Sequence, residues 1–152
     1  MQRGRTAADG VGQGGFTLIE LMVAVAIVAI IAAIAYPSYL KEVRDSRRTT
    51  AITNLLNVAS QLEKYYSTNN IYPQSLTSLG YTATIYPVPN AASPYYDIRY
   101  GTDTTGDTYT LTATPTQQSG QSQDACGVFT LNALGQKGVT SATATASQCW
   151  GK

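Results

Sequence analysis

The stretch that decides the fold runs from Gly12 to Glu42 and reads GQGGFTLIELMVAVAIVAIIAAIAYPSYLKE. Between Phe16 and Tyr36 it contains one charged residue, Glu20. A helix needs about 20 apolar residues, at about 1.5 Å each, to cross the hydrocarbon core of a bilayer. The segment therefore predicts a transmembrane helix, and the single carboxylate near its start requires an explanation.

An ordinary secretory signal is the alternative. Such a signal has an apolar stretch of about 7 to 15 residues, with a small-residue cleavage site after it. Here the apolar run is longer, the pair Gly14 and Gly15 precedes it, and the chain continues as AYPSYLKEVRD in a helix-like pattern. The sequence favours a retained helix.

The composition narrows the class of protein. The chain has 152 residues, of which 12% are charged, and a formal net charge of +1. An average soluble domain has about 25% charged residues, so the chain is suited to a surface or an assembly. Because it contains no histidine, Ser-His and Cys-His nucleophile pairs are excluded and the commonest zinc ligand is missing. We expect no enzyme activity, no metal and no cofactor.

The helical pattern continues beyond Pro37, over residues 37–67. Pro37 clashes with the carbonyl of Ala33, so we expect a kink or a local melt there. Apolar residues then recur at three- and four-residue steps and predict one buried face. That face consists of Leu40, Val43, Ile52, Leu55, Leu56, Ala59, Leu62 and Tyr66.

The opposite side of this helix half carries bases and acids. These are Lys41, Arg44 and Arg48, with Glu42, Asp45 and Glu63 interspersed. We interpret it as a solvated face that meets neighbouring subunits or lipid head groups, rather than as a nucleic-acid site.

Residues 68–152 predict a globular head with an antiparallel sheet of about four strands. The stretch STNNIYP ends the helix, and a structured loop follows to about Pro94. Apolar residues then alternate with polar ones in three candidate strands, and a hairpin return follows the third. The alternating residues are Tyr96, Ile98 and Tyr100, then Tyr109, Leu111 and Ala113, then Phe129, Leu131 and Ala133.

Two features of the head have alternative readings. Tyr72, Tyr81 and Tyr86 are interpreted as wedges between helix and sheet, and a ligand-stacking platform is the alternative. Asp103 and Asp107 in GTDTTGDT allow a calcium site, but two acids without further ligand spacing favour a plain loop.

Cys126 and Cys149 are the only two cysteines. An even pair in a protein outside the cytoplasm predicts a disulfide, with two buried thiols as the alternative. Closing a loop of this size removes denatured-state entropy worth about 3 kcal/mol. The disulfide would enclose the C-terminal region of the head between the two cysteines.

The N-terminal residues GGFTLIELMVAVAIVAIIAAIAYPSY resemble the start of type IV pilins and the related pseudopilins. The resemblance implies a leader at 1–15, removed by a prepilin peptidase between Gly15 and Phe16, and methylation of the new amino group of Phe16. It also implies that Glu20 guides assembly by pairing with the amino terminus of a neighbouring subunit. Phe16 and Glu20 are four residues apart, so pairing within one chain is the alternative. An ionisable group within a membrane is retained mainly where it finds such a partner.

A second resemblance lies in the C-terminal half. YTLTATP, DACGVFTLNALGQKG and the terminal CW are similar to the C-terminal region of PilE-type minor pilins, a group that includes DNA-uptake receptors. It implies the α+β type IV pilin fold, with a long helix packed on a sheet, and a minor pilin. Its partners would be other pilins and the inner-membrane assembly platform.

Two other functions stay open, the major pilin subunit and a DNA-binding uptake receptor. From Thr68 to Lys152 the head has one more acid than it has bases. DNA binding depends on neutralising phosphates, so this charge argues against a nucleic-acid partner.

The resemblance also implies a single-pass precursor in the bacterial inner membrane, with its head in the periplasm, and later a surface pilus. The distribution of bases is opposed to this orientation, because two arginines precede the span and four bases follow it closely. The cysteine pair and the leader resemblance both place the head outside, and we follow them.

Overall fold

A computed structural model describes residues 15–89 and 92–151. Residues 1–14, which hold most of the predicted leader, lie outside the described residues, as does Lys152. The chain divides after Leu40 into two compact units. The elements are α1 Leu18–Asn69, β1 Ile85–Val88, β2 Tyr96–Thr102, β3 Tyr109–Pro115, β4 Val128–Asn132, β5 Lys137–Thr140 and α2 Ala146–Trp150.

In the first unit, the described residues 15–40 contain the N-terminal part of α1. Every residue from Gly15 to Tyr39 is exposed. Within the described residues, α1 is the one helix long and apolar enough to cross a membrane. The helix continues through Pro37 without interruption, so a local melt does not occur there, whereas a kink stays a prediction.

The second unit contains the rest of α1, which presents one apolar face to the core. The buried residues on this face are Ala51, Leu55, Val58, Ala59 and Leu62. The predicted face was wrong at Leu56 and Tyr66, which remain 40% and 38% exposed. Each residue turns the helix by about 100°, so Leu56, one step after Leu55, points away from the core.

The helix ends at Asn69, inside the stretch where the sequence predicted its end. The next residue, Asn70, has a left-handed backbone with φ of 55°. Asparagine is one of the few residues other than glycine that adopt this conformation after a helix.

The sheet is an antiparallel meander in which five strands follow one another in the order β1-β2-β3-β4-β5. Directly opposed residues share a face, and one such row crosses the whole sheet. The row runs through Tyr86, Ile98, Ala113, Phe129 and Val139. Each of these five residues either belongs to the hydrophobic core or packs against it, and the buried face of α1 completes that core.

The prediction of about four strands missed β1. This strand lies in the stretch that was interpreted as a structured loop, and it contains Pro87 opposite Asp97 of β2. Proline lacks a backbone donor and is confined mainly to edge strands, which is the position of β1. A short strand with a proline does not show the alternation by which the others were found.

The predicted hairpin return is present as β5, but the chain does not continue as a strand. It forms the short helix α2 instead, which starts from a capping box between Thr145 and Gln148. A threonine followed three residues later by a glutamine is a sequence signal for a helix start. The TATASQ stretch therefore carried a signal that the alternation-based interpretation overlooked.

Candidate functional site

The predicted cleavage site lies just before α1. Gly15, Phe16 and Thr17 have no regular secondary structure. Phe16 is 85% exposed, and no atom would obstruct a side chain at Gly15. The peptide bond between Gly15 and Phe16 is accessible, as a processing enzyme requires.

Glu20 lies in the first turn of α1. Its backbone N–H donates to the side-chain oxygen of Thr17 at 3.3 Å, so Thr17 caps the helix and Glu20 occupies the third helical position. An acid at this position is favoured by the helix dipole, and Thr-x-x-Glu is half of a capping box. The sequence interpretation missed this local role, although residues 17–20, TLIE, contain the Thr-x-x-Glu pattern.

Among the described residues, no cation lies within salt-bridge distance of the Glu20 carboxylate. Its exposed position also leaves it free for a group from another molecule. The two roles are compatible, because the N–H cap uses Thr17 and the carboxylate itself stays available.

The helix around Glu20 presents apolar side chains on all sides. From Phe16 to Tyr39, the large apolar residues are between 51% and 85% exposed. Contiguous apolar surface of this extent marks a region that contacts other protein chains or lipid. It is the main surface feature of the part of the first unit that the structure describes.

In the second unit, the main polar feature is a network that joins α1 to the loop before β4. Arg48 donates to both carboxylate oxygens of Asp124, at 3.0 and 2.7 Å, and to Asp45 at 2.8 Å. Tyr96 also donates its hydroxyl to Asp124 at 2.9 Å. The sequence interpretation placed Arg48 on a solvated face, and this was wrong.

Asp124 is almost completely buried, with 1% of its side chain exposed. Burial alone would raise its pKa, but hydrogen bonds from Arg48, the Cys126 backbone N–H and Tyr96 lower the pKa below its usual value. Burial likewise opposes the charged form of Arg48, yet its contacts with Asp124 and Asp45 raise its pKa. The ionised pair therefore holds the two segments together.

The disulfide follows directly after this network. Cys126 and Cys149 are bonded, with their Cα atoms 5.7 Å apart, so the bond ties the start of β4 to α2. The Trp150 ring packs edge-on against Phe129 at 5.4 Å, and its N–H donates to the Gly138 carbonyl at 2.9 Å. The predicted pairing of the cysteines is confirmed.

The tyrosines lie between helix and sheet, as the wedge interpretation predicted. Tyr72 stacks edge-on against Tyr109 at 4.8 Å, and both hydroxyls donate to Glu63 of α1. Burial and the bond to Glu63 raise the pKa of Tyr72 to about 12. Tyr86 reaches α1 through Asn54 at 3.3 Å. Glu63, predicted to be on the solvated face, is another contact between helix and head.

Asp103 stabilises its own loop. Its carboxylate accepts backbone N–H bonds from Gly106 at 2.8 Å and from Asp107 at 2.9 Å, and a side-chain bond from Thr105 at 3.0 Å. Desolvation opposes ionisation, but these donors and the Thr108 N–H lower the pKa of Asp103. Because its oxygens already have partners, the plain-loop interpretation fits better than a calcium site.

Comparisons with known proteins indicate which family the chain belongs to. A family model described as "Type IV minor pilin ComP, DNA uptake sequence receptor" matches residues 37–130. A model of the prokaryotic N-terminal methylation motif matches residues 11–36. A search of curated proteins found no significant match.

Among solved structures, the chain is similar to a type IV pilin from Shewanella oneidensis. The two are 31% identical over 67% of this chain and 96% of the other, with a TM-score of 0.48. The classification depends on the minor-pilin model, which covers more than half of the chain. The family that this model describes consists of structural pilins, which are not enzymes. On that match, this chain belongs to the type IV minor pilin family.

Proposed function

We propose that this chain is a structural subunit of a type IV pilus, a minor pilin that supports pilus assembly and a pilus-dependent behaviour such as motility, adhesion or competence. One observation carries the proposal, the continuous exposure of apolar side chains from Phe16 to Tyr39. The second unit buries its own core, so this helix has no partner within the described chain. Lipid covers it before assembly, and the helices of other pilins cover it in the filament.

Processing precedes assembly in this proposal. A prepilin peptidase removes residues 1–15, and the amino group of Phe16 is then methylated. The methylation-motif match spans this bond, and the exposure of Phe16 supports access to it. The precursor stays in the inner membrane with its head in the periplasm until the assembly platform inserts it into a pilus.

Glu20 selects the neighbour in this proposal. In a low-dielectric environment, a carboxylate is stabilised strongly by a cation and weakly by solvent. The amino group of Phe16 in an adjacent subunit is such a cation. The pairing would set the axial offset between subunits, while Thr17 caps the helix independently.

Two substitutions separate the charge of Glu20 from its local role. Glutamine also functions at the third position of a capping box, so Glu20→Gln keeps the helix start and removes only the charge. Glu20→Asp keeps the charge on a shorter side chain. We expect Glu20→Gln to be processed normally and to be depleted from sheared filaments, and Glu20→Asp to be retained. Equal recovery of Glu20→Gln and the parent would contradict the role of the charge.

A second candidate function is a receptor for DNA during uptake, because the matching family model carries that description. Charge opposes it. Arg48 is already neutralised by Asp124, and the bases that remain on α1 are Lys41, Arg44 and Arg47, close together, and Lys64, further along the helix. Arg47 itself lies over the Tyr95 ring at 3.9 Å.

Fluorescence anisotropy with a labelled DNA duplex tests this candidate. The full-length protein is titrated in non-ionic detergent over a range of salt concentrations. Each phosphate neutralised contributes about −0.9 to the slope of log K against log salt. Neutralisation of one phosphate each by Lys41, Arg44 and Arg47 predicts a slope of about −3 if the chain is a DNA receptor. Absence of binding at about 0.15 M salt would exclude the DNA-receptor function.

The subunit ratio in sheared filaments separates a minor from a major pilin.

A further inference from the structure

Three bases of α1 follow the apolar run closely, and the structural function proposed above gives them no role. They are Lys41, Arg44 and Arg47, called the basic cluster from here on. We propose that the basic cluster binds the phosphate groups of anionic phospholipids on the periplasmic surface of the membrane, and so docks the head of the precursor on the bilayer. The inference rests on the proposed function, because it needs a precursor that is inserted in a membrane.

The charge of the basic cluster is available to a ligand. Among the described residues, the ion pairs all belong to Arg48, which contacts Asp45 and Asp124. Asp45 is therefore already engaged. Glu42 is the other acid on this part of the helix, and at 100° per residue it lies about 140° around the helix from Arg47. A phosphate that approaches the cluster meets positive charge without having to displace an acid from it.

The head holds Arg47 beside a loop without charged residues, 117–123, which reads QQSGQSQ. The Arg47 side chain donates to the Ser119 carbonyl at 3.4 Å, and its guanidinium lies over the Tyr95 ring at 3.9 Å. These contacts limit the conformations of the side chain, so it loses less entropy on binding a ligand. The guanidinium has five donors in a planar fork that suits phosphate. An uncharged loop beside it does not repel anionic headgroups.

The position of the cluster in the chain identifies lipid as the source of the phosphate. Lys41 comes five positions after Tyr36, where the apolar run ends. Tyr36 and Tyr39 are 64% and 65% exposed, and tyrosine is enriched where a membrane span meets the headgroups. Bases directly after such a residue lie within the range of a charged lipid surface, which is about 8 Å at physiological salt. Anionic headgroups are therefore the phosphates that the cluster meets first.

The same contact explains why bases follow this span on the proposed periplasmic side. Bases near the end of a span usually remain in the cytoplasm, whereas four follow this span closely. The structure removes Arg48 from that set, because Asp124 pairs with it inside the head. Anionic headgroups stabilise the other three on the outer side. The contact belongs to the stored precursor, since it is lost when the chain leaves the bilayer for the filament.

Fluorescence quenching in lipid nanodiscs tests the inference on the full-length precursor. A fluorophore is attached at Gln118→Cys, an exposed position on the uncharged loop, because both native cysteines are bonded to each other. The discs contain phosphatidylcholine alone or an equal mixture of phosphatidylcholine and phosphatidylglycerol, with the same amount of a lipid that carries a quencher on its headgroup. We expect stronger quenching in the anionic discs, and loss of the difference at about 1 M salt. Equal quenching in both discs at low salt would overturn the inference.

Two triple variants separate the cluster from the net charge of the chain. The cluster variant combines Lys41→Gln, Arg44→Gln and Arg47→Gln. The control variant combines Lys64→Gln, Arg99→Gln and Lys137→Gln, which removes the same charge from exposed positions elsewhere. Each base near an anionic surface contributes a factor of about five, so the cluster variant should lower the ratio of docked to undocked heads about 100-fold. The control variant should dock as the parent does, and equal docking by the cluster variant would overturn the inference.

Three further outcomes are informative. The double variant Arg44→Lys with Arg47→Lys keeps the charge and should keep most of the quenching, and its loss would show that the charge is not what binds lipid. A DNA duplex added at the phosphate concentration of the discs should not relieve the quenching. Relief would assign the cluster to nucleic acid and overturn the inference. Failure of the parent to insert into discs of either composition would instead contradict the proposed function.

Discussion

Replacing Arg48 by methionine should destabilise the second unit strongly. Methionine has a similar length but cannot donate to a carboxylate, so Arg48→Met leaves Asp124 buried without its cation. Removing one member of a buried ion pair typically costs about 3–5 kcal/mol. Because 18% of the Arg48 side chain is exposed and Asp124 keeps its bonds from Tyr96 and Cys126, we expect the lower end, about 3 kcal/mol. That is a large part of the about 5–15 kcal/mol that stabilises a typical domain.

Asp45→Asn is the matched control, since Asp45 contacts the same guanidinium but has 35% of its side chain exposed. Exposed pairs contribute about 0–1 kcal/mol. Urea unfolding of the full-length protein in micelles, followed through the only tryptophan, Trp150, measures both variants. A loss below about 1 kcal/mol for Arg48→Met would refute the reasoning that this pair joins α1 to the head.

The same pair has a predictable pH dependence. The pKa of Asp124 is lowered in the folded protein, so its ionised form stabilises the fold. That contribution is complete above the unfolded pKa of about 3.9, and it is lost as the pH falls through the lower folded pKa. The difference in free energy of unfolding between the parent and Arg48→Met should therefore shrink below about pH 4. A difference that grows in acid would contradict this assignment.

Two further predictions concern the C-terminal region. Replacing Cys126 and Cys149 together by serine should lower the free energy of unfolding by about 3 kcal/mol and the Tm by about 10 °C, measured by thermal unfolding. Reduction of the parent should have the same effect. An unchanged Tm would contradict the stabilising role of the disulfide. Gly127→Ala should lower the unfolding free energy by more than about 1 kcal/mol, because φ is +56° and the new Cβ would lie 2.5 Å from the Thr140 carbonyl oxygen. Gly135→Ala, with φ of +71° and no atom within 4 Å, is the control for backbone strain alone, and equal losses would show that the close approach is unimportant.

The parts of the fold that the sequence predicted are those with a local periodic signal. The apolar run gives α1, and the alternation around Ile98, Leu111 and Phe129 gives the three central strands, because one face of each is buried. Strand β1 has four residues and a proline, so its signal is short and interrupted. Helix α2 depends on one capping box rather than on a period.

The polar network could not be predicted, because its members are distant in sequence. Arg48 and Asp124 are 76 positions apart, and nothing near either residue indicates its partner. The spacing of Arg48 beside Asp45 and Lys41 is also that of a solvated helix face. The cysteine pair was predictable despite its separation, since only two cysteines exist and they have one possible pairing.

The roles of Gly15, Phe16 and Glu20 come from a family resemblance and stay predictions. The described helix adds the cap from Thr17, which the sequence interpretation did not include. The capping role gives a second physical reason for an acid at Glu20, one that needs no partner chain. Only a variant that keeps the cap and removes the charge separates the two reasons.

The most direct test of the central claim is mass spectrometry of filaments sheared from cells that express the parent or Glu20→Gln. The account predicts that the parent appears in filaments as a chain that begins at N-methylated Phe16, and that Glu20→Gln is cut at the same bond yet depleted from them. Filaments that lack the parent, or that contain it with residues 1–15 still attached, would contradict the account.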